Sequence, residues 1–215
     1  PIRHPESALS GSGCQVTAED NIIHLIIEIR HFFENLNEGY LKPFLADWPL
    51  KTCTTRSVLP NSLPVLSYLP AVVKAAAKKT ETLVKMLSSL ANHVAWGQTY
   101  SAQDLGVGFL EKYGWTEIMG LRGPIASDRL ACGFLLLGSR VEYPQHCHEA
   151  EEVYVPLTDR TLWHQSNQDW VYRTPGLPIY HASWKSHAMR TETTPLLALY
   201  LWRGDNLVQK SRFTP

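Results

Sequence analysis

The chain has 215 residues, 44% of them hydrophobic and 19% charged, as is ordinary for one globular domain with an accessory segment or for two small domains. Its 20 basic and 20 acidic residues cancel, which argues against nucleic acid as a partner and against a lipid-attracting basic cluster. No apolar run reaches the ~18 residues of a membrane span, so we expect a soluble protein without a membrane partner.

The chain begins at Pro1 without a methionine, which indicates a trimmed or processed N-terminus and leaves both the cytoplasm and the periplasm open. The cysteines are too sparse for a disulfide scaffold, and we expect free thiols at Cys14, Cys53, Cys132 and Cys147. Cys14 with Cys53 would be the bridge if the protein is exported.

The first half of the chain, residues 1–95, is predicted to be helical. Thr17 is a candidate N-cap with Asp20 three residues later, apolar residues then recur at helical spacing, and Gly39 is a natural stop. Three prolines indicate irregular chain with short turns over 55–70. The segment 71–94, rich in Ala, Lys and Leu, predicts a second long helix. Such amphipathic helices must bury their apolar stripes, so we expect them to pack outside the second half or across a dimer interface, and to supply no metal ligand.

The second half, residues 96–215, is predicted to be mainly β. The segments "RLACGFLLLG", "EVYVPL", "TLWHQ", "DWVYRT" and "LLALYLW" are short and rich in branched and aromatic residues, as strands are. Five or more short strands separated by turn residues are typical of an antiparallel sandwich or a small barrel.

The stretch "YPQHCHEAEEVY", residues 143–154, concentrates groups that can bind a metal. Residues two apart in a strand face the same way, so His146 and His148 can point together, as can Glu152 and Tyr154 on the next strand. Imidazole and carboxylate are standard ligands of divalent metals. Cys147 lies out of phase with the two histidines and should point away.

A metal site of this kind needs a further ligand from elsewhere in the chain. His181 and His187 are two candidates, both in "TPGLPIYHASWKSHAMRTE". A predicted strand pair separates them from the first cluster, so either one could be brought alongside it.

The motifs in these segments resemble those of a known protein family. The pattern HxHxxxE, a Pro-Gly turn at 175–176 and a later histidine resembles the cupins, small antiparallel jelly-roll barrels with one internal metal. "YPQHCHEAEEVY" together with "HAMRTETTPLLALYLWRG" is similar to the cupin-type lyases of dimethylsulfoniopropionate (DMSP), over roughly residues 130–205. The chain departs from that pattern at Cys147 and Ser186, where many members have His and Pro. The resemblance implies a mainly β cupin barrel with an N-terminal helical region.

The resemblance also implies a cofactor and an activity. One divalent transition metal ion (Zn, Fe, Mn or Ni) would be held by His146, His148, Glu152 and His187, with His187 preferred to His181. The enzyme would be a carbon–sulfur lyase that cleaves DMSP by β-elimination into dimethyl sulfide and acrylate.

The remaining implied roles concern the substrate, a small molecule whose carboxylate would bind the metal. Tyr154 would be the general base, and Tyr143 and Trp202 would be aromatic substrate contacts. Two other functions stay open: a cupin dioxygenase that uses ferrous iron, and a non-catalytic cupin that binds a small ligand. Whether two copies of the chain form a homodimer is also left open.

Overall fold

The computed structural model describes residues 16–49 and 54–214, so the expected pairing of Cys14 with Cys53 lies outside the described residues. The helices are α1 (Ala18–Leu36), α2 (Lys42–Ala46), α3 (Leu69–Ala75), α4 (Glu81–Leu90), α5 (Ala102–Leu105) and α6 (Val107–Leu110). The strands are β1 (Trp96–Gly97), β2 (Tyr113–Gly120), β3 (Ile125–Ala126), β4 (Leu130–Leu137), β5 (Glu142–Cys147), β6 (Glu151–Pro156), β7 (Thr161–Gln165), β8 (Val171–Arg173), β9 (Ile179–His181), β10 (His187–Thr191), β11 (Leu196–Arg203) and β12 (Arg212–Phe213).

The strands form two sheets. The larger has the order β1-β2-β4-β11-β6-β9, with β3 also beside β2, and the smaller has the order β12-β5-β10-β7-β8. Neighbouring strands are antiparallel except for the short parallel pair of β2 and β3. The predicted fold class is confirmed: the chain is a cupin-type antiparallel jelly roll with helices at its N-terminal side.

The predicted start of α1 is confirmed. Thr17 caps the helix, and its side chain and that of Asp20 each bond the other's backbone N–H in a capping box. The helix ends at Asn37 rather than Gly39, because Asn37 adopts the left-handed conformation with φ 52°.

The prediction of one long helix over 71–94 is wrong. Helix α3 stops at Ala75, and α4 starts at Glu81. Between them the chain docks on the end of β6: the Ala77 N–H and the Thr80 hydroxyl both donate to the Leu157 carbonyl, at 3.2 and 2.7 Å. Tertiary hydrogen bonds therefore override the helix propensity of the Ala- and Lys-rich segment.

The larger sheet lies between two hydrophobic clusters. On its outer face, Phe134 and Leu136 of β4 belong to the same buried cluster as Leu25, Ile29 and Phe33 of α1. The helices therefore pack on the outside of the barrel and cover the outer face of the larger sheet. The division of the chain into two domains at residue 95 stays a prediction.

The second cluster lies between the two sheets. Leu135 of β4 and Tyr154 of β6 meet Tyr143 of β5, Trp163 of β7 and Met189 of β10 there. This alternation along β4 is the period-two pattern of a strand buried on both faces. The inner cluster is where the polar residues of the candidate site lie.

Within the described ranges, no helix is both long enough and apolar enough to cross a bilayer.

Candidate metal centre

Both sheets contribute side chains to one buried polar cluster. His146 on β5 lies opposite His187 on β10, and Glu152 on β6 lies opposite His181 on β9. Directly opposite residues in an antiparallel pair share a face, so these side chains point together into the barrel. His148 follows the end of β5, and all five residues are at most 3% exposed.

The cluster divides into two groups that share His187. Ring nitrogens of His146, His148 and His187 lie within 4.8 Å of one another, and so do ligand atoms of Glu152, His181 and His187. These donor sets could hold a metal ion. By distance alone, both candidates for the further ligand, His181 and His187, lie beside Glu152.

Backbone carbonyls fix the orientation of three of the imidazoles. The Nδ1-to-oxygen distances are 2.7 Å from His146 to Pro144, 2.9 Å from His148 to Ala150, and 2.9 Å from His187 to Lys185. A carbonyl can only accept, so Nδ1 carries the proton in each ring. Each neutral ring therefore presents a bare Nε2, the form in which histidine binds a metal.

The contacts of Glu152 favour a cation between its carboxylate and the neighbouring histidines. Its Oε2 lies 3.0 Å from His148 Nε2 and 3.1 Å from His187 Nε2, and with both rings neutral the lone pairs would face each other across a buried site. His187 Nε2 is buried and has no hydrogen-bond partner among the described residues. A metal ion or an added proton among these atoms would resolve the contact, so the residues fit a divalent metal.

Burial and neighbouring charges set the protonation of the cluster. Burial and the nearby His187 lower the pKa of His146 well below its usual range, which keeps that ring neutral. Burial alone would raise the pKa of Glu152, but His148 and His187 hold that pKa well below its usual value. Positive charge beside Glu152 is thus favoured, and a bound divalent metal would supply that charge while the imidazoles stayed neutral.

A cavity of about 270 Å³ adjoins the cluster. Three of the residues singled out in the sequence line it: Tyr143, Tyr154 and Trp202. Its wall also contains aromatic residues that the sequence analysis did not identify, Tyr113, Trp115 and Tyr200.

The two proposed aromatic contacts touch the histidines as well as the cavity. The Tyr143 ring stacks on His146 with centroids 4.2 Å apart, and its hydroxyl lies 2.9 Å from that of Tyr100. The Trp202 ring lies against His148 with centroids also 4.2 Å apart and planes tilted by 30°, and its indole N–H donates to Glu152 Oε1. Trp202 therefore holds the carboxylate in place, a role that the sequence did not indicate.

Tyr154 lies on the same face of β6 as Glu152 and is 5% exposed. Burial raises the pKa of its hydroxyl well above the usual value, and the Glu152 carboxylate adds to that rise. In the metal-free chain Tyr154 is therefore a neutral phenol.

Cys147 and His181 lie close to the candidate ligands but differ from them in their surroundings. Cys147 is buried and lies opposite Arg212 of β12 in the strand register. Within the described chain it belongs to neither group of candidate ligands. His181 is fully buried within the cluster, with its ring stacked on His187 at 4.0 Å.

Comparison with known proteins gives a consistent result. The family model for dimethylsulfoniopropionate lyase matches residues 50–198. The DMSP lyase DddQ of Ruegeria pomeroyi is 36% identical over 110 residues, which are 51% of this chain and 55% of that protein. A putative DMSP lyase, DddL of Cereibacter sphaeroides, is 29% identical over 148 residues, 67% of this chain and 61% of that one. The match thus spans less than two thirds of the length of either relative.

Solved structures agree over a larger share of the chain. One, from crystal structures of the DMSP lyases RdDddP and RnDddQII, superposes with a TM-score of 0.80 and 28% identity, covering 93% of this chain and 100% of that one. The crystal structure of DddQ from R. pomeroyi DSS-3 gives 0.77 and 26%, covering 90% and 96%.

Proposed function

Because this chain belongs to the dimethylsulfoniopropionate lyase family, we propose that it cleaves DMSP into dimethyl sulfide and acrylate by a metal-dependent β-elimination. The observation that carries the proposal is the position of Tyr154, which lies two residues beyond Glu152 on one strand face and lines the adjoining cavity. An ionisable oxygen is thus available beside a metal-competent cluster and next to space for a small molecule.

The proposed ligands are His146, His148, Glu152 and His187, with one divalent transition metal ion per chain. The bare Nε2 atoms and the unpartnered His187 nitrogen support this set. A bound divalent cation would supply the positive charge that stabilises the substrate carboxylate and the phenolate form of Tyr154.

The proposed base is Tyr154. Its oxygen takes a proton from the carbon next to the substrate carboxylate. The electron pair of that C–H bond forms the carbon–carbon double bond of acrylate, the C–S bond breaks, and dimethyl sulfide leaves as a neutral molecule. The leaving group needs no proton, so one base suffices.

The cavity wall supports binding of a sulfonium cation. Tyr143 and Trp202, the two proposed substrate contacts, belong to a wall that also contains Tyr113, Trp115 and Tyr200. Aromatic faces attract cations by about 0.5–2 kcal/mol, and they exclude water from the reacting carbon.

The test is release of dimethyl sulfide into the headspace after DMSP is added to metal-loaded protein without oxygen. We expect release from the loaded protein and little from protein treated with a chelator. Release that requires oxygen would instead indicate a ferrous dioxygenase, and binding of DMSP without any product would indicate a ligand-binding cupin. Either result would contradict the lyase proposal.

A further inference from the structure

Among the imidazoles of the described cluster, His181 alone has a different hydrogen-bonding pattern. Its Nδ1 lies 3.1 Å from Gln165 Nε2 on β7, not beside a backbone carbonyl. Its Nε2 is buried and has no hydrogen-bond partner within the part of the chain that the structure describes. Since Nδ1 is already paired, Nε2 is the atom left free beside Glu152 and His187.

The orientation of the Gln165 amide is decided by two partners of fixed chemistry. Arg173 can only donate, and its guanidinium lies 3.0 Å from Gln165 Oε1. The Tyr180 carbonyl can only accept, and it lies 3.0 Å from Gln165 Nε2. Rotating the amide by half a turn would place donor against donor and acceptor against acceptor, so the NH₂ group faces His181.

The NH₂ group sets the tautomer of His181. One amide hydrogen goes to the Tyr180 carbonyl and the other to His181 Nδ1, which must accept it with a lone pair. The proton of the neutral ring is then on Nε2. Distance groups His181 with Glu152 and His187 as a candidate ligand, but its Nε2 carries a hydrogen where a ligand needs a lone pair.

We infer that His181 is a ligand-binding residue that stays outside the metal's ligand set, and that its Nε2–H donates a hydrogen bond to a carboxylate oxygen of the molecule bound at the centre. Gln165 and Arg173 hold it in this form. The inference rests on the metal-binding and carboxylate-binding parts of the proposed function, and not on the cleavage step. The Nε2–H of His181 is fully buried and has no hydrogen-bond partner among the described residues. The carboxylate of a bound molecule would supply that partner.

The tautomers can be read directly. Long-range ¹H–¹⁵N spectra of zinc-loaded protein with ¹⁵N-labelled histidine report which ring nitrogen carries the proton. We expect the proton on Nε2 in His181 and on Nδ1 in His146, His148 and His187. A proton on Nδ1 of His181, or a zinc-shifted Nε2 there, overturns the inference. This measurement needs no variant.

Matched variants test the hydrogen bond to the ligand. His181→Phe and His187→Phe make the same change in two stacked rings. We expect His181→Phe to keep one zinc per chain, which His187→Phe loses, and to weaken acrylate binding to zinc-loaded protein about 10- to 100-fold, as for a hydrogen bond to a charged group. His181→Gln, whose amide can present an N–H near the Nε2 position, should recover part of that affinity. Equal zinc loss in the two Phe variants, or acrylate affinity unchanged in His181→Phe, overturns the inference.

Gln165→Glu tests the origin of the tautomer. A carboxylate oxygen can only accept, so Nδ1 of His181 should become protonated in the same spectra, while Arg173 still has an acceptor to bind. An unchanged His181 pattern in this variant overturns the part assigned to Gln165. Wild-type protein that binds zinc and acrylate without cleaving DMSP would sink the proposed function alone, because the tautomer and affinity readouts would stand.

Discussion

Trp202 contacts the candidate metal centre through Glu152, and this contact can be separated from the packing of its ring. Trp202→Phe keeps an aromatic ring over His148 but deletes the indole N–H that donates to Glu152 Oε1. Because a freed carboxylate is no longer held in its binding orientation, we expect zinc affinity to fall about 10-fold. Competition with a chromophoric chelator measures it.

The matched control is Trp115→Phe. Trp115 lines the same cavity, but its indole N–H donates to Thr99, 3.0 Å away, and not to a candidate ligand. We expect its zinc affinity to match that of the wild type. Equal losses in the two variants would contradict the role given to the Trp202 N–H.

Tyr154→Phe tests the proposed base. The ring and its packing against Trp163 are kept, while the oxygen that would take the proton is lost. We expect kcat for DMSP to fall by about 10²–10⁴ with zinc content unchanged. A raised KM with kcat intact would point to a binding role instead.

Tyr200→Phe is the control for that variant. Tyr200 lies opposite Tyr154 on β11 and lines the same cavity, but its hydroxyl donates to the Thr116 carbonyl. We expect a much smaller loss of kcat. Should Tyr154→Phe keep near wild-type turnover, Tyr143 becomes the next candidate for the base.

The sequence indicates the candidate ligands better than it indicates what orients them. Strand periodicity alone puts Glu152 and Tyr154 on one face, and the structure agrees. The partnership of Gln165 with His181 has no such signal, because it joins strands of different sheets across 16 positions. A glutamine in a strand is usually solvated, so nothing in its own segment predicts a buried contact.

At the scale of elements, a buried hydroxyl is one of the two donors that dock the break between α3 and α4 on β6. Thr80 is fully buried, and its hydroxyl donates to the Leu157 carbonyl at the end of β6. Thr80→Val keeps the side-chain shape but removes this donor. We expect a loss of about 1 kcal/mol in the free energy of unfolding, measured from urea denaturation.

Ser89→Ala in α4 is the control for Thr80→Val. The Ser89 hydroxyl donates to the Met86 carbonyl at the exposed surface, so its removal should change stability by less than about 0.5 kcal/mol. Equal stability of the Thr80→Val variant and the wild type would show that the docking of 76–80 on β6 does not depend on this bond.

Local pattern predicts some elements and misses others for a physical reason. The apolar run of β4 and the leucine-rich run of β11 are recognised because both strands are buried on two faces. Strand β2, which pairs with β4, has Gly114 and Gly120 near its ends and Glu117 in its middle, so it lacks a strand signature. Its Glu117 is buried against the backbone N–H groups of Arg122 and Gly123, a turn that only the folded chain reveals.

At the scale of the whole molecule, the candidate ligands join the two sheets. His146 and His187 come from the smaller sheet and Glu152 from the larger one. A metal that binds them stabilises only the folded chain, by about 2.7 kcal/mol when its free concentration is 100 times Kd. For a chain of this size we expect zinc to raise Tm by about 5–10 °C.

Differential scanning calorimetry with and without a chelator checks the zinc effect. His187→Asn, which removes a proposed ligand from the smaller sheet, should show little shift with zinc. An equal shift in this variant and in the wild type would place the stabilising zinc elsewhere.

The helical layer is tied to the strands that carry the site. Arg203 of β11 binds Asp47 beyond α2 at 2.8 Å and Glu151 of β6 at 3.0 Å. Tyr40 stacks on Tyr180 of β9 with centroids 5.1 Å apart. The strands that hold Glu152, His181 and Trp202 are thus supported from outside the barrel as well as from within.

The carbonyl partners of the three histidines proposed as ligands affect which substitutions the chain can tolerate. Every amino acid supplies a backbone carbonyl, so replacing Pro144, Ala150 or Lys185 leaves an acceptor at the same place, provided that the local backbone is kept. Gln165 has no such freedom, since its side chain itself is the partner of His181. Neutral variation should therefore accumulate around the ligands, while Gln165 tolerates almost none; a library randomised at these four positions and sorted by zinc and acrylate binding would record that contrast.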